Sequence, residues 1–228
     1  KPRGIALRAF NVIPHGRGLG SSASAIVGGL ALARSLVLTG EQYMSDEELI
    51  TLATELEGHP DNVAAAFYGG ATIAWLESKV GKDGARTSTG RAVSLKVDDR
   101  IKALLLIPEN QLSTAKARKL LPETISHQDA VLNSSRSALL VHALAERPDL
   151  LFTATEDALH QKYREQAMPK TIALMEKLRG AGLAAVVSGA GPSVMVLYSG
   201  AEDEIDQLQS VAPGFTAMKL AIAKTGVQ

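Results

Sequence analysis

The segment from Pro14 to Ser24, PHGRGLGSSAS, constrains this chain more than any other. Three glycines and a pair of adjacent serines stand immediately before a run with helical character, SSASAIVGGLALARSLVL. Glycine lets a backbone approach a ligand closely and adopt positive φ. The first turn of a helix adds free N–H groups and the positive end of the dipole. Together these make an anion site. Two common glycine-rich motifs do not fit: Gly20 is followed by Ser21 rather than lysine, against the P-loop, and the dinucleotide fingerprint lacks its third glycine at the right spacing. Three glycines alone are equally compatible with a turn that packs a strand against a helix.

An anionic ligand has to be held locally, because Lys plus Arg total 24 against 24 for Asp plus Glu. A balanced chain has no summed field to attract nucleic acid or anionic lipid. Absence of cysteine excludes a disulfide framework, a thiolate metal site and cysteine nucleophilic catalysis. The longest apolar stretch, Ala25 to Leu38, is broken by Gly28, Gly29 and Arg34. It falls short of the ~18 residues of a membrane span. No targeting segment opens the sequence, so a soluble cytoplasmic protein is expected. With 228 residues, 46% of them apolar, the chain can bury one large core or two small ones.

Hydrophobic spacing predicts an alternation of strands and helices. Gly4 to Val12 reads as a strand entered from an upstream portion absent from the sequence, and the helix after the glycine loop should stop at Gly40. Ser45 with Glu48 forms a capping box for a helix ending near Gly58, and a short helix follows Pro60. ATIAWLE is strand-like, Ser78 to Gly90 reads as a loop or hairpin tip, and AVSLKV follows. In the second half come the strand IKALLLIP, a helix over STAKARKLL ended by Pro122, and a helix capped by Ser126 with Asp129. PDLLFTATEDAL and KTIALMEKLRGAG continue the helical spacing. LAAVVS and SVMVLYS flank a GAGP turn, EDEIDQLQSV reads as a helix, and FTAMKLAIA closes as a strand. The expected class is α+β, with helices able to cover one sheet face, divided into domains 1–98 and 99–228.

PHGRGLGSSAS resembles, nearly residue for residue, the P-x-x-x-G-L-G-S-S-A segment of GHMP kinases. VVSGAGPSVMVL, Val186 to Leu197, is similar to that family's glycine-rich turn near the C-terminus. Between them TELEGHPDNVAAAFYGG resembles the homoserine kinase branch, and the likeness covers nearly the whole chain. It implies the GHMP kinase fold, an N-terminal domain like ribosomal protein S5 domain 2 joined to a ferredoxin-like C-terminal domain. It also implies ATP-dependent, Mg2+-assisted phosphorylation of an alcohol, here the side-chain hydroxyl of L-homoserine in threonine biosynthesis. The family's first motif, upstream, is not in this sequence, and without it the enzyme should be incomplete.

Carried over on that resemblance, Pro14, Gly16, Arg17, Gly18, Leu19, Gly20, Ser21, Ser22 and Ser24 belong to the ATP site. Gly189, Ala190, Gly191, Pro192 and Ser193 support it from beside the loop. The Ser22 hydroxyl and Glu55 are the expected magnesium ligands, with Glu57 as fallback, since Mg2+ takes hard oxygens and needs one or two carboxylates beside nucleotide phosphates. His59, Asp61 and Asn62 match the H-x-D-N segment that contacts the amino-acid substrate, although Asp61 or Asn62 could also cap the next helix. A substrate with a carboxylate and an ammonium calls for a guanidinium fork and a carboxylate. Arg118 and Arg164 are the candidates for the first and Asp61 for the second, against the plain alternative of solvated charges on helix faces. Asn62 would orient the hydroxyl, with Arg118 stabilising developing charge and no strong general base implied. Another GHMP kinase of the mevalonate type, or a non-catalytic nucleotide-binding regulator on the same fold, are the alternatives. Neither nucleic acid nor membrane is an expected partner, and a homodimer is left open.

Overall fold

The structure, a computed structural model, describes residues 4–80, 86–200, 205 and 212–227. The first half is built on four helices: α1 (Ser21–Ser35), α2 (Gly40–Tyr43), α3 (Asp46–Glu57) and α4 (Asp61–Tyr68). Ala23 and Val27 of α1 pack against Leu49, Ile50 and Ala53 of α3 and Val63 and Phe67 of α4. The capping box at α3 is complete: Ser45 Oγ accepts from Glu48 N, and Glu48 Oε2 accepts from Ser45 N at 2.8 Å. Gly58, left-handed at φ 87°, closes the helix. Ser45→Ala is expected to lower stability by about 1 kcal/mol, measured by urea unfolding, with little change in any activity.

Two antiparallel strands follow, β1 (Ala71–Val80) and β2 (Arg86–Leu95), in register from Ala71 opposite Leu95 to Val80 opposite Arg86. The second half centres on a four-stranded antiparallel sheet of β3 (Lys102–Pro108), β4 (Ala184–Val187), β5 (Val194–Tyr198) and β6 (Phe215–Ala221), ordered β4-β5-β3-β6. Helices α5 (Thr114–Arg118), α6 (His127–Ala145), α7 (Leu151–Ala154) and α8 (Pro169–Gly180) lie between β3 and β4 in sequence, with a 3-10 segment over Lys162–Ala167. Ile172, Met175 and Leu178 of α8 pack on Leu104, Leu106, Val194 and Val196. Every residue of β3 from Ala103 to Pro108 is buried, so this strand reads as a continuous apolar run rather than an alternation. The chain's end crosses back to the first half, where Val227 N donates to Ala66 O at 3.1 Å and the side chain joins the α1/α3/α4 core.

Several sequence expectations need correction. Residues 4–12 form no strand, and Ile5, Leu7, Phe10 and Val12 are exposed, because among the described residues no strand offers them a ladder. Helix α1 stops at Ser35, whose hydroxyl turns back to the Leu32 carbonyl at 2.8 Å. Gly40 instead opens α2. A Cβ there would lie 2.0 Å from the Arg34 carbonyl oxygen, so glycine is required by a close approach and not as a helix stop. The polar stretch read as a loop or hairpin tip does lie in a hairpin, but the arms run further into it than expected, β1 continuing through Val80 and β2 beginning at Arg86, because cross-strand pairing overrides weak local propensity. Helix α5 ends at Arg118, well before Pro122. The helix expected over EDEIDQLQSV lies outside the described residues. No described helix is long and apolar enough to cross a membrane.

Candidate functional site

At the start of α1 the glycines alternate with larger residues, and Gly16, Gly18 and Gly20 all take positive φ, between 64° and 72°. Gly20 occupies the N-cap with no side chain to satisfy the first turn. The N–H groups of the opening turn are therefore left for a ligand. Gly16, Gly18, Leu19, Gly20, Ser21 and Ser22 line a cleft of about 640 Å³.

The second glycine-rich turn packs on the first, as the family resemblance implied. It joins β4 to β5, closed by Ser188 N to Ser193 O at 2.8 Å and Gly191 N to Ser188 O at 2.9 Å. Ser188 Oγ donates to the Gly18 carbonyl at 2.9 Å. A Cβ on Gly18 would fall 2.1 Å from the Ser188 carbonyl oxygen, so the two turns meet backbone to backbone. Gly189 and Ala190 reach the cleft wall, whereas Pro192 and Ser193 are buried behind it.

On the side toward α3 and α4, Ser22 Oγ donates to Glu57 Oε2 at 2.7 Å. His59 Nε2 stands 4.0 Å from Glu57 Oε1, and its Nδ1 hydrogen-bonds Asp61 Oδ1. The same Asp61 oxygen accepts from Asn62 N at 2.7 Å, but the cap position of α4 is Pro60 with no side-chain cap, so neither Asp61 nor Asn62 caps the helix as the sequence allowed. The Asn62 side chain lies over Gly20, where an added Cβ would sit 3.7 Å from its Oδ1. Glu57, His59, Asp61 and Asn62 thus all face the cleft. Glu55 does not. Two residues along a helix is a rotation of about 200°, and Glu55 lines a separate surface cavity with Glu47, Glu48 and Arg91. The fallback, Glu57, is the glutamate beside Ser22. Among the described residues no three His, Cys, Asp or Glu side chains gather into a metal centre. The Ser22 and Glu57 oxygens match the hard, sparse donor set that Mg2+ accepts beside phosphates.

Arg118, at the end of α5, and Arg164, in the 3-10 segment, complete the opposite wall. Arg164 is only 7% exposed, its Nη1 donating to the Gly189 carbonyl at 3.1 Å. Its Nε has no partner. Burial lowers its pKa, Asp157 opposes that shift and Arg118 adds to it. A guanidinium nevertheless keeps its charge in a protein, so the cleft holds a nearly buried cation with an unused donor.

Sequence reasoning missed the segment that holds Arg164 in place. Asp157 accepts from the backbone N–H groups of Leu159, His160 and Gln161 at 3.2, 2.9 and 2.6 Å, and from His160 Nδ1 at 3.1 Å. Burial pushes its carboxyl pKa up, but the His160 and backbone donors outweigh burial and hold it well below the usual range. Gln161 Oε1 accepts from Val187 N at 2.7 Å, tying this turn to β4. Asp157, His160, Gln161, Thr114 and His15 all reach the cleft. An Asp followed by His and Gln carries no local signal, since only the fold brings it against Val187.

Besides Glu55, and Gly191 which is buried behind the cleft wall, three assigned residues stand apart from the cleft. Arg17 turns away, donating from Nε to the Pro108 carbonyl at 2.7 Å and from Nη2 to the Glu109 carbonyl. It fastens the loop to the end of β3 instead of reaching a phosphate. Pro14 is exposed at the loop's entrance, and Ser24 belongs to the second half of the first turn, its N–H already paired with the Gly20 carbonyl at 2.9 Å.

Comparison with known proteins agrees with this fold. The family model for the GHMP kinases N terminal domain matches residues 1–70, and that for the GHMP kinases C terminal domain matches residues 135–213. The chain is 45% identical over 227 residues to a homoserine kinase of Streptomyces coelicolor, covering 99% of this chain and 70% of that protein. It is 48% identical over 223 residues to one of Mycobacterium tuberculosis, covering 97% and 69%. A solved homoserine kinase from Cytophaga hutchinsonii superposes with a TM-score of 0.74 at 25% identity, over 95% of this chain and 69% of that one. Mevalonate diphosphate decarboxylase from Staphylococcus aureus shares the fold at a TM-score of 0.58 and 19% identity, over 91% and 66%.

Proposed function

The chain belongs to the homoserine kinase family of the GHMP kinases, and on that footing we propose that it transfers the γ-phosphoryl group of ATP to the side-chain hydroxyl of L-homoserine. The observation that carries this reading is one cleft with two chemically different ends. At one end are the uncapped start of α1 and the Ser22–Glu57 pair, and at the other two arginines. Fold alone does not decide the reaction.

Phosphoryl transfer asks the protein mainly to position two reactants and neutralise charge. Backbone N–H groups of residues 18–22 receive the triphosphate, with the dipole of α1 behind them. Ser22 and Glu57 would hold Mg2+, which would supply positive charge to offset that of the phosphates. Arg164, desolvated and with a free Nε donor, takes the substrate carboxylate, and Asp61 takes the ammonium. Arg118 lies where it stabilises the transferring group, and Asn62, over Gly20, orients the attacking hydroxyl. The division between the nucleotide half and the second half falls near residue 98.

The test is an ATP-dependent assay that offers homoserine, mevalonate and shikimate with magnesium to the chain extended upstream by the family's first motif. Turnover of homoserine alone is expected. Arg164→Met should raise the homoserine KM about a hundredfold, since it removes a charged partner in a desolvated site, while the ATP KM changes little. Asn62→Ala and Arg118→Ala should both lower kcat. If both variants kept full kcat, the roles assigned to these side chains would be wrong.

A further inference from the structure

The two serines that open α1 have different partners. Ser22 donates its hydrogen bond to Glu57, whereas Ser21, 8% exposed, has its Oγ 3.0 Å from His15 Nδ1. The other ring nitrogen, Nε2, is 3.0 Å from Asn11 Nδ2. Ile13 fixes which way the Asn11 amide points: its N–H donates to Asn11 Oδ1 at 2.9 Å, and Asn11 Nδ2 donates to its carbonyl at 3.2 Å. The nitrogen facing the ring is therefore the amide donor. A donor there requires Nε2 to be the bare nitrogen, which places the ring proton on Nδ1, aimed at Ser21 Oγ. The opposite tautomer would set two donors 3.0 Å apart and would use up the Ser21 hydroxyl proton on Nδ1.

With Nδ1 protonated, Ser21 accepts from the ring and its own proton is left over. Among the described residues Ser21 Oγ has no other partner than His15 and Asn11 Nδ2, which lies 3.4 Å away and can only donate. His15, Ser21 and Ser22 line the same cleft. We propose that His15 is a positioning residue for the nucleotide: locked by Asn11 in its Nδ1–H tautomer, it turns the Ser21 hydroxyl into a one-way donor to a phosphate oxygen. This rests on the kinase reading and deepens it, because it adds a directed side-chain donor beside the backbone N–H groups. The imidazole touches neither phosphate nor substrate and acts only through Ser21.

Two measurements test it. In the 15N-labelled wild-type chain at about pH 8, where an ordinary histidine is neutral, long-range 1H–15N spectra assigned with a His15 variant should show Nδ1 protonated and Nε2 bare. Titration with magnesium and AMP-PNP should show binding weakened roughly threefold to tenfold in His15→Phe, as for loss of one oriented bond to a charged group. His15→Asn, whose Nδ2 can stand in for Nδ1–H, should restore most of that loss. Ser21→Ala should match His15→Phe, and the double variant should be no weaker than either alone. A chain that binds no nucleotide overturns the kinase reading and this inference with it. Nucleotide binding with the ring protonated at Nε2, or with unchanged affinity in His15→Phe, overturns this inference alone.

Discussion

Glu57→Gln is expected to lower kcat about a hundredfold or more at saturating ATP and homoserine, while Glu55→Gln stays within about twofold of the parent. The first figure corresponds to a transition-state loss of about 2.7 kcal/mol, modest for weakening a metal that offsets phosphate charge. Glu57 is 11% exposed on its side chain and accepts a hydrogen bond from Ser22, so its carboxylate is already aimed at the loop. Glutamine keeps the shape and the hydrogen bond to Ser22 but not the charge. The defect should shrink as magnesium is raised, and thermal unfolding should be nearly unchanged, which separates a ligand from a structural contact. Glu55 is exposed on the far face of the same helix. Equal losses in the two variants would place the metal elsewhere.

Gly18→Ala should be among the most damaging single-methyl changes at the described glycines. Gly18 has φ 72°, and a Cβ would stand 2.1 Å from the Ser188 carbonyl oxygen and 2.9 Å from Gly191 N. Both are backbone atoms, and Ser188 is itself pinned by its hydrogen bonds to Ser193 and Gly18. Neither loop can yield without parting from the other. Strain of this kind costs about 2–4 kcal/mol, or a Tm lower by roughly 5–12 °C for a chain of this size. Nucleotide affinity should fall with it, because the loop amides lose their aim. Gly28→Ala is the control. Gly28 sits inside α1 with nothing within 4 Å of an added Cβ, so alanine there should stabilise by about 0.5–1 kcal/mol.

Much of this was legible beforehand. The glycine alternation before α1, the Ser45–Glu48 box, the Ser126 cap on α6 and the apolar β3 each rest on neighbours in sequence, and each took its expected form. The contact between the two glycine turns was legible only through family likeness, because Gly18 and Ser188 are 170 residues apart. Arg17 shows the limit. Its place inside the loop pointed to a phosphate, yet the end of β3 offered two carbonyls that the sequence does not place near it.

What the sequence determined by itself was local: where the chain can turn with positive φ, where a helix can start without a cap, and which apolar runs must be buried. Tertiary structure decided which side chains share the cleft. It selected Glu57 over Glu55 by the rotation of α3, set Gln161 and Asp157 behind Arg164, and fixed the His15 ring through Asn11 and Ile13. Backbone conformation follows from residue type within a few positions. The facing of one side chain toward another depends on how helices and strands pack, and that is decided by the summed burial of the whole chain.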